Sequence, residues 1–107
     1  MNEITCQELQ AALVSAQPPL LVDVREAHEH AHAAIKPCVH VPLSEIEERA
    51  AELEPYKGRP LVVYCHLGVR SLDAAAYLSS LGHVATSLAG GIEAWSCEVD
   101  PKVPRYC

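Results

Sequence analysis

The sequence predicts an α/β fold, a mostly parallel central sheet with helices on both faces, and three observations carry that prediction. Apolar, β-branched runs recur along the chain, too short for helices and suited to buried strands. Helical patterns stand between them, opened by capping residues and closed by proline or glycine. At 107 residues the chain has the size of one domain, and such a chain buries roughly two-thirds of its extended surface on folding, enough for a core without staples. Strands that alternate with helices form βαβ units, whose crossovers favour parallel pairing. One domain is expected across residues 1–107, with no internal repeat, low-complexity tract or linker.

Thr5-Cys6-Gln7-Glu8 is a capping box, and Leu9, Leu13 and Val14 follow at helical spacing until Pro18-Pro19 stops the helix. Residues 20–24 read as a short strand. Asp23-Val24-Arg25-Glu26 then enters a polar, histidine-rich stretch to Lys36, read as a solvated loop. Residues 39–41 read as a second strand ended by Pro42. Ser44-Glu45-Ile46-Glu47 is a second capping box, opening a helix to about Glu54, with Pro55 and Gly58 closing it. Residues 61–65 are the clearest strand, continuous, apolar and preceded by Pro60. A glycine-containing loop, residues 66–70, follows; Ser71 is placed as the N-cap of a helix to Leu81, and Gly82 stops it. Residues 84–88 form the last strand, and Gly90-Gly91 turns into a short helix around Ile92 and Trp95.

Composition narrows the function. Half the residues are apolar and 21% are charged, an ordinary globular balance, with no Phe and one Trp. The net charge of -6 is uneven: residues 1–54 hold ten acidic and three basic side chains, residues 55–107 four and five. No basic stripe exists, so no nucleic-acid partner is expected. Five cysteines, Cys6, Cys38, Cys65, Cys97 and Cys107, lack a C-x-x-C spacing and suit neither a disulfide framework nor a zinc site. The opening residues lack a signal peptide and no apolar run is long enough for a bilayer span, so a monomer in the reducing cytoplasm, without a membrane partner, is expected.

Chemistry concentrates in Tyr64-Cys65-His66-Leu67-Gly68-Val69-Arg70-Ser71. In open α/β sheets ligands sit beyond the carboxyl ends of the strands, which is where Cys65 falls. Successive backbone amides and a helix N-terminus after it make an anion nest, expected to hold the sulfur as a nucleophilic thiolate. Cys65 and Arg70 are the candidate catalytic residues, Arg70 supplying a fixed planar cation. His66, Leu67, Gly68, Val69 and Ser71 are the candidate substrate-binding residues. A strand-end cysteine alone is more often structural; its company of Gly, Arg and Ser at these spacings reverses that expectation.

Cys65-x-x-Gly68-x-Arg70-Ser71 resembles the active-site loop of rhodanese-like sulfurtransferases. Leu21-Val22-Asp23-Val24-Arg25-Glu26 resembles the family's Asp-x-Arg strand end, and Val39-His40-Val41-Pro42-Leu43 its entry to the next helix. Leu88-Ala89-Gly90-Gly91-Ile92-x-x-Trp95 resembles its Gly-Gly-x-x-x-Trp signature, so the resemblance covers residues 4–97 in order. Ala33-Ala34-Ile35 stands where members commonly have Gly-His-Ile, Lys36-Pro37 replaces Pro-Gly, and the segment between Gly82 and Leu88 is shorter by about one residue. The resemblance implies a rhodanese-like domain that moves sulfur from a donor such as thiosulfate or a persulfide, through a Cys65 persulfide, to a thiol, a protein or cyanide. No cofactor or metal is implied. Asp23 and Arg25 are assigned to supporting the loop. Because His66, Leu67 and Val69 leave Arg70 as the loop's permanent charge, weak binding of dianionic thiosulfate is expected, with a persulfide as natural donor.

Two other readings stay open. Cysteine-dependent phosphatases sharing this fold have five residues between Cys and Arg, against four here. A non-catalytic binding module is the second, since folds do not fix functions. His28, His30 and His32 alternate without an acidic or thiol partner at a recognised metal spacing and are read as a solvated face. Cys6, Cys38, Cys97 and Trp95 are assigned to packing.

Overall fold

The computed structural model describes residues 3–35 and 38–103. Lys36, Pro37 and Cys107, singled out above, lie outside the described residues. The strands are β1 (Glu3–Ile4), β2 (Leu20–Asp23), β3 (Val39–His40), β4 (Leu61–Tyr64) and β5 (Ala85–Leu88). They pair in parallel throughout, in the order β1-β5-β4-β2-β3. The α-helices are α1 (Cys6–Leu13), α2 (Ala27–His32), α3 (Ile46–Arg49), α4 (Val69–Ser80) and α5 (Gly91–Glu98).

The central strand β4 is buried along its whole length, which is why it reads as an unbroken apolar run. Side chains alternate across it. Leu61, Val63 and Cys65 face a core completed by Val22, Ile46, Leu53, Ala74 and Leu78. Val62 and Tyr64 face the opposite core, with Leu9, Leu21, Leu88, Ile92 and Trp95. Trp95 is thus a packing residue, as expected. Among the described residues no helix is long and apolar enough to cross a membrane.

The Thr5 capping box forms with both of its hydrogen bonds. Three expectations need correction, and one strand went unread. The edge strand β1 is two residues long and carries no pattern of its own; it exists because Glu3 and Ile4 pair with Ser87 and Leu88. The histidine-rich stretch is the helix α2, with Glu26 as its N-cap and Glu29 closing a capping box, rather than a loop. The second expected capping box does not form. A 3₁₀ turn at Leu43–Glu45 starts the segment, Ser44 points its hydroxyl at the Glu26 carboxylate, and after α3 the chain tightens into 3₁₀ turns at Ala50–Tyr56. Pro55 stands near the end of these turns, where its missing N–H stops a longer α-helical ladder. Finally, α4 starts at Val69, not after Ser71: Gly68, at φ +98°, turns the chain into the helix three residues sooner.

The end of α4 follows the sequence more closely. Gly82 adopts φ +100°, and the amides of Gly82 and His83 bond back to the carbonyls of Ser79 and Leu78, at 3.1 Å each. This Schellman closure carries His83 inward. The His83 side chain is buried, and neither ring nitrogen has a hydrogen-bond partner among the described residues. Burial, then the charge of nearby Lys57, holds the imidazole below the ordinary histidine range. The unfolded chain therefore takes up a proton in that range while the folded chain does not, so stability falls as pH drops through it. His83→Leu should flatten this fall, measured by urea denaturation between about pH 7.5 and pH 5.5, around the unperturbed value near 6.5. Parallel profiles for wild type and variant would contradict this.

Candidate active site

Cys65 follows the last residue of β4 and is 1% exposed. The Gly68 amide donates to its Sγ at 3.0 Å. The Ser71 hydroxyl lies 3.5 Å from Sγ and 2.6 Å from the Ser87 hydroxyl. Ser71 is thus a buried neighbour of the sulfur inside the first turn of α4, the physical content of the corrected helix start. The first amides of a helix have no partner within it, so the chain from Gly68 onward presents donors and the positive end of α4 to one sulfur atom.

The loop is gripped from behind. The carbonyl of Cys65 accepts from the Ile92 amide at 2.8 Å, and that of His66 accepts from the Glu93 amide at 3.1 Å. Both donors belong to the first turn of α5. This close approach demands glycine. A Cβ on Gly91 would collide with the carbonyl oxygens of Cys65 and His66, and Gly91 also sits at φ +62°. A Cβ on Gly68 would meet the Gly90 nitrogen at 3.0 Å.

At the rim, Leu67 and Val69 are 60% and 70% exposed. His66 is partly buried, its Nε2 3.7 Å from the Glu93 carboxylate. Arg70 is one-third exposed and engaged in a two-pronged pair with Glu29, Nη1 to Oε1 at 2.8 Å and Nη2 to Oε2 at 2.9 Å. Glu29 was not among the expected site residues. Its signal was its place three residues after Glu26, which makes it a capping-box residue, but the pairing across 41 positions is legible only in three dimensions.

Asp23 and Arg25 are fully buried and form a pair, Arg25 Nε and Nη2 bonding the two carboxylate oxygens at 2.9 and 2.7 Å. Burial pushes the Asp23 carboxyl up, but hydrogen bonds from Arg25 and His30 outweigh it and hold the carboxyl below its usual range. Arg25 also donates to the carbonyls of Glu29 and Ala33, closing the end of α2, and lies over the Tyr64 ring, 5.4 Å from its centre. The pair therefore reaches the Cys65 loop indirectly, by fixing the helix that carries Glu29. Tyr64 ties the same cluster together, donating to Asp23 at 3.3 Å and accepting from the Ile35 amide at 3.1 Å.

His28 and His32 are exposed on α2. His30 turns inward instead, bonding Asp23 at 2.8 Å and stacking on His40 at 4.4 Å, because the helical turn, unlike a loop, aims every third or fourth residue at the body of the protein. Cys6 is a packing residue: burial, then Glu98, pushes its thiol up to about 11. Cys38 is half-buried beside the Tyr64 hydroxyl. Cys97 departs from its packing assignment and is exposed on α5.

The chain matches the model of the Rhodanese-like domain over residues 5–98. It is 38% identical over 109 residues to the maize protein named adenylyltransferase and sulfurtransferase MOCS3-1, covering 96% of this chain but 23% of the maize protein's length. The chain thus spans about a quarter of that relative. It is 37% identical over 97 residues to a sulfurtransferase of Allochromatium vinosum, covering 90% of this chain and 89% of the other. Among solved structures, a rhodanese-like domain protein from Staphylococcus aureus superposes with a TM-score of 0.84 at 29% identity over the full length of both chains.

If α5 fixes the loop as described, Gly91→Ala should destabilise the protein by about 1–3 kcal/mol, from left-handed strain and the collision with two carbonyls. Backbone amide shifts should move in residues 65–68. A stability within about 0.3 kcal/mol of wild type by denaturant titration, with an unmoved loop, would contradict the close packing.

Proposed function

The chain belongs to the rhodanese-like family, and on that premise we propose that it is a sulfurtransferase in which Cys65 carries a sulfane sulfur as a persulfide. The observation that carries the reading is the Gly68 amide 3.0 Å from Sγ, at the mouth of a helix, on a cysteine excluded from bulk water. A hydrogen bond to a charged acceptor contributes about 1.5–3 kcal/mol, roughly twice a neutral one, so the Gly68 amide suits the sulfur anions formed in the course of transfer.

In the first step the Cys65 thiolate attacks the outer sulfur of the donor. The new S–S bond forms as the donor's own sulfur bond breaks, and the leaving group departs with the electron pair: sulfite from thiosulfate, a thiolate from a persulfide. In the second step an acceptor thiolate, or cyanide, attacks the terminal sulfur of Cys65–S–S⁻ and Cys65 leaves as thiolate. No net oxidant or reductant is consumed. The amides of residues 66–70 serve both anions in turn, as an oxyanion hole serves developing charge. Arg70, at the rim, orients the anionic end of the donor, and Asp23 with Arg25 supports it through α2. The four residues between Cys65 and Arg70 leave a cradle sized for one sulfur rather than a phosphoryl group. Among the described residues Cys6, Cys38, Cys65 and Cys97 are free thiols.

Cys65→Ser tests the carrier role. The alcohol is not ionised at neutral pH, so thiocyanate formation from thiosulfate and cyanide should drop to background while the fold persists. Appreciable turnover by a folded Cys65→Ser protein would remove Cys65 from the mechanism.

A further inference from the structure

We infer that Glu29 sets the donor specificity of this site, holding Arg70 as a neutral pair so that donors bearing little charge are favoured over dianions. The inference rests on the proposed sulfurtransferase reading and concerns the same site. Arg70 is the permanent cation of the loop from residue 66 to residue 70, and its fork of donors is matched oxygen for oxygen by the Glu29 carboxylate, at 2.8 and 2.9 Å. Such two-pronged pairing is the geometry that a carboxylate or sulfonate end of a donor would itself seek. A dianion arriving at Cys65 meets a guanidinium whose charge is already balanced.

Residues 66–69 add no permanent cation in compensation. Leu67 and Val69 present apolar, exposed surface on either side of Gly68. Glu93 places a second carboxylate 3.7 Å from His66. Glu29 is itself largely buried and held by the Glu26 amide at 3.1 Å, so its carboxylate is not free to swing aside as a donor binds. α2, which carries it, is tied down by Arg25 through the carbonyls of Glu29 and Ala33. Glu29 acts through Arg70 and is a positioning residue: it touches neither the sulfur nor the reacting bond.

Two donors of the same chemistry and different charge separate this from a structural role: thiosulfate, a dianion, and benzenethiosulfonate, a monoanion, with cyanide as acceptor. Glu29→Gln keeps size and the hydrogen bond to the Glu26 amide while removing the charge. It should lower KM for thiosulfate several-fold, lower KM for benzenethiosulfonate less, and leave kcat nearly unchanged. The gain should shrink as salt rises. Glu29→Asp, which keeps the charge, should stay near wild type in the ratio of the two KM values. The wild type gives an independent reading that needs no variant: its KM for thiosulfate should not rise steeply with salt, because Glu29 already balances the loop's permanent cation.

An unchanged or raised thiosulfate KM in Glu29→Gln, equal shifts for both donors, or a steep rise of the wild-type KM with salt would overturn the role given to Glu29 while leaving Cys65 as carrier. Failure of both donors to place sulfur on Cys65 of the wild type would sink the carrier reading, and the role of Glu29 with it.

Discussion

The site depends on how the loop after β4 disposes of its carbonyls. A short loop at a sheet edge has as many carbonyls as amides, and left to itself it would point some of each at the cysteine. Here the first amides of α5 take the carbonyls of Cys65 and His66, and the Gly68 N–H faces the sulfur at 3.0 Å. Two such bonds contribute only about 0.5–1.5 kcal/mol each to stability. Their larger consequence is the sign of the field at Sγ. Two helix N-termini meet at one loop, α4 from the front and α5 from behind, and the approach is close enough that residue 91 must be glycine.

The rest of the fold serves that meeting. β4 lies between β5 and β2, so its carboxyl end has a neighbour on each side. β5 delivers Gly90-Gly91 and the gripping helix. β2 delivers Asp23 and Arg25, which hold α2 and thereby the carboxylate that balances Arg70. A buried ion pair is a poor source of net stability, since desolvation offsets most of the attraction. Its value here is positional: Asp23 orients Arg25, and Arg25 closes α2 at the spot that aims Glu29 across the loop.

Much of this was legible in the residues. β4 announced itself because a strand buried on both faces is apolar without interruption, and the end of α4 because Gly82 stops it. The Cys-x-x-Gly-x-Arg spacing singled out the loop in which Cys65, Gly68 and Ser71 meet. What escaped was of two kinds. Local chemistry misled where tertiary contacts outbid it: Ser44 and Ser71 both have the character of N-caps, yet one reaches Glu26 and the other is drawn in beside Cys65 and Ser87. Long-range pairing was invisible: Glu29 looks like a helix-capping residue in an acidic segment, and nothing in its neighbours announces a partner 41 residues away. The pleated edge strand β1 likewise owes its existence to β5 alone.

The central claim is that the cradled Cys65 sulfur accepts and keeps a sulfane sulfur. Intact mass of the wild-type protein after incubation with a sulfane donor, followed by mapping of the modified peptide, tests it most directly. The account predicts a gain of one sulfur atom, located on Cys65, discharged by cyanide and absent from the exposed Cys97. A protein that gains no sulfur, or gains it on Cys97 while Cys65 stays a thiol, would contradict the account.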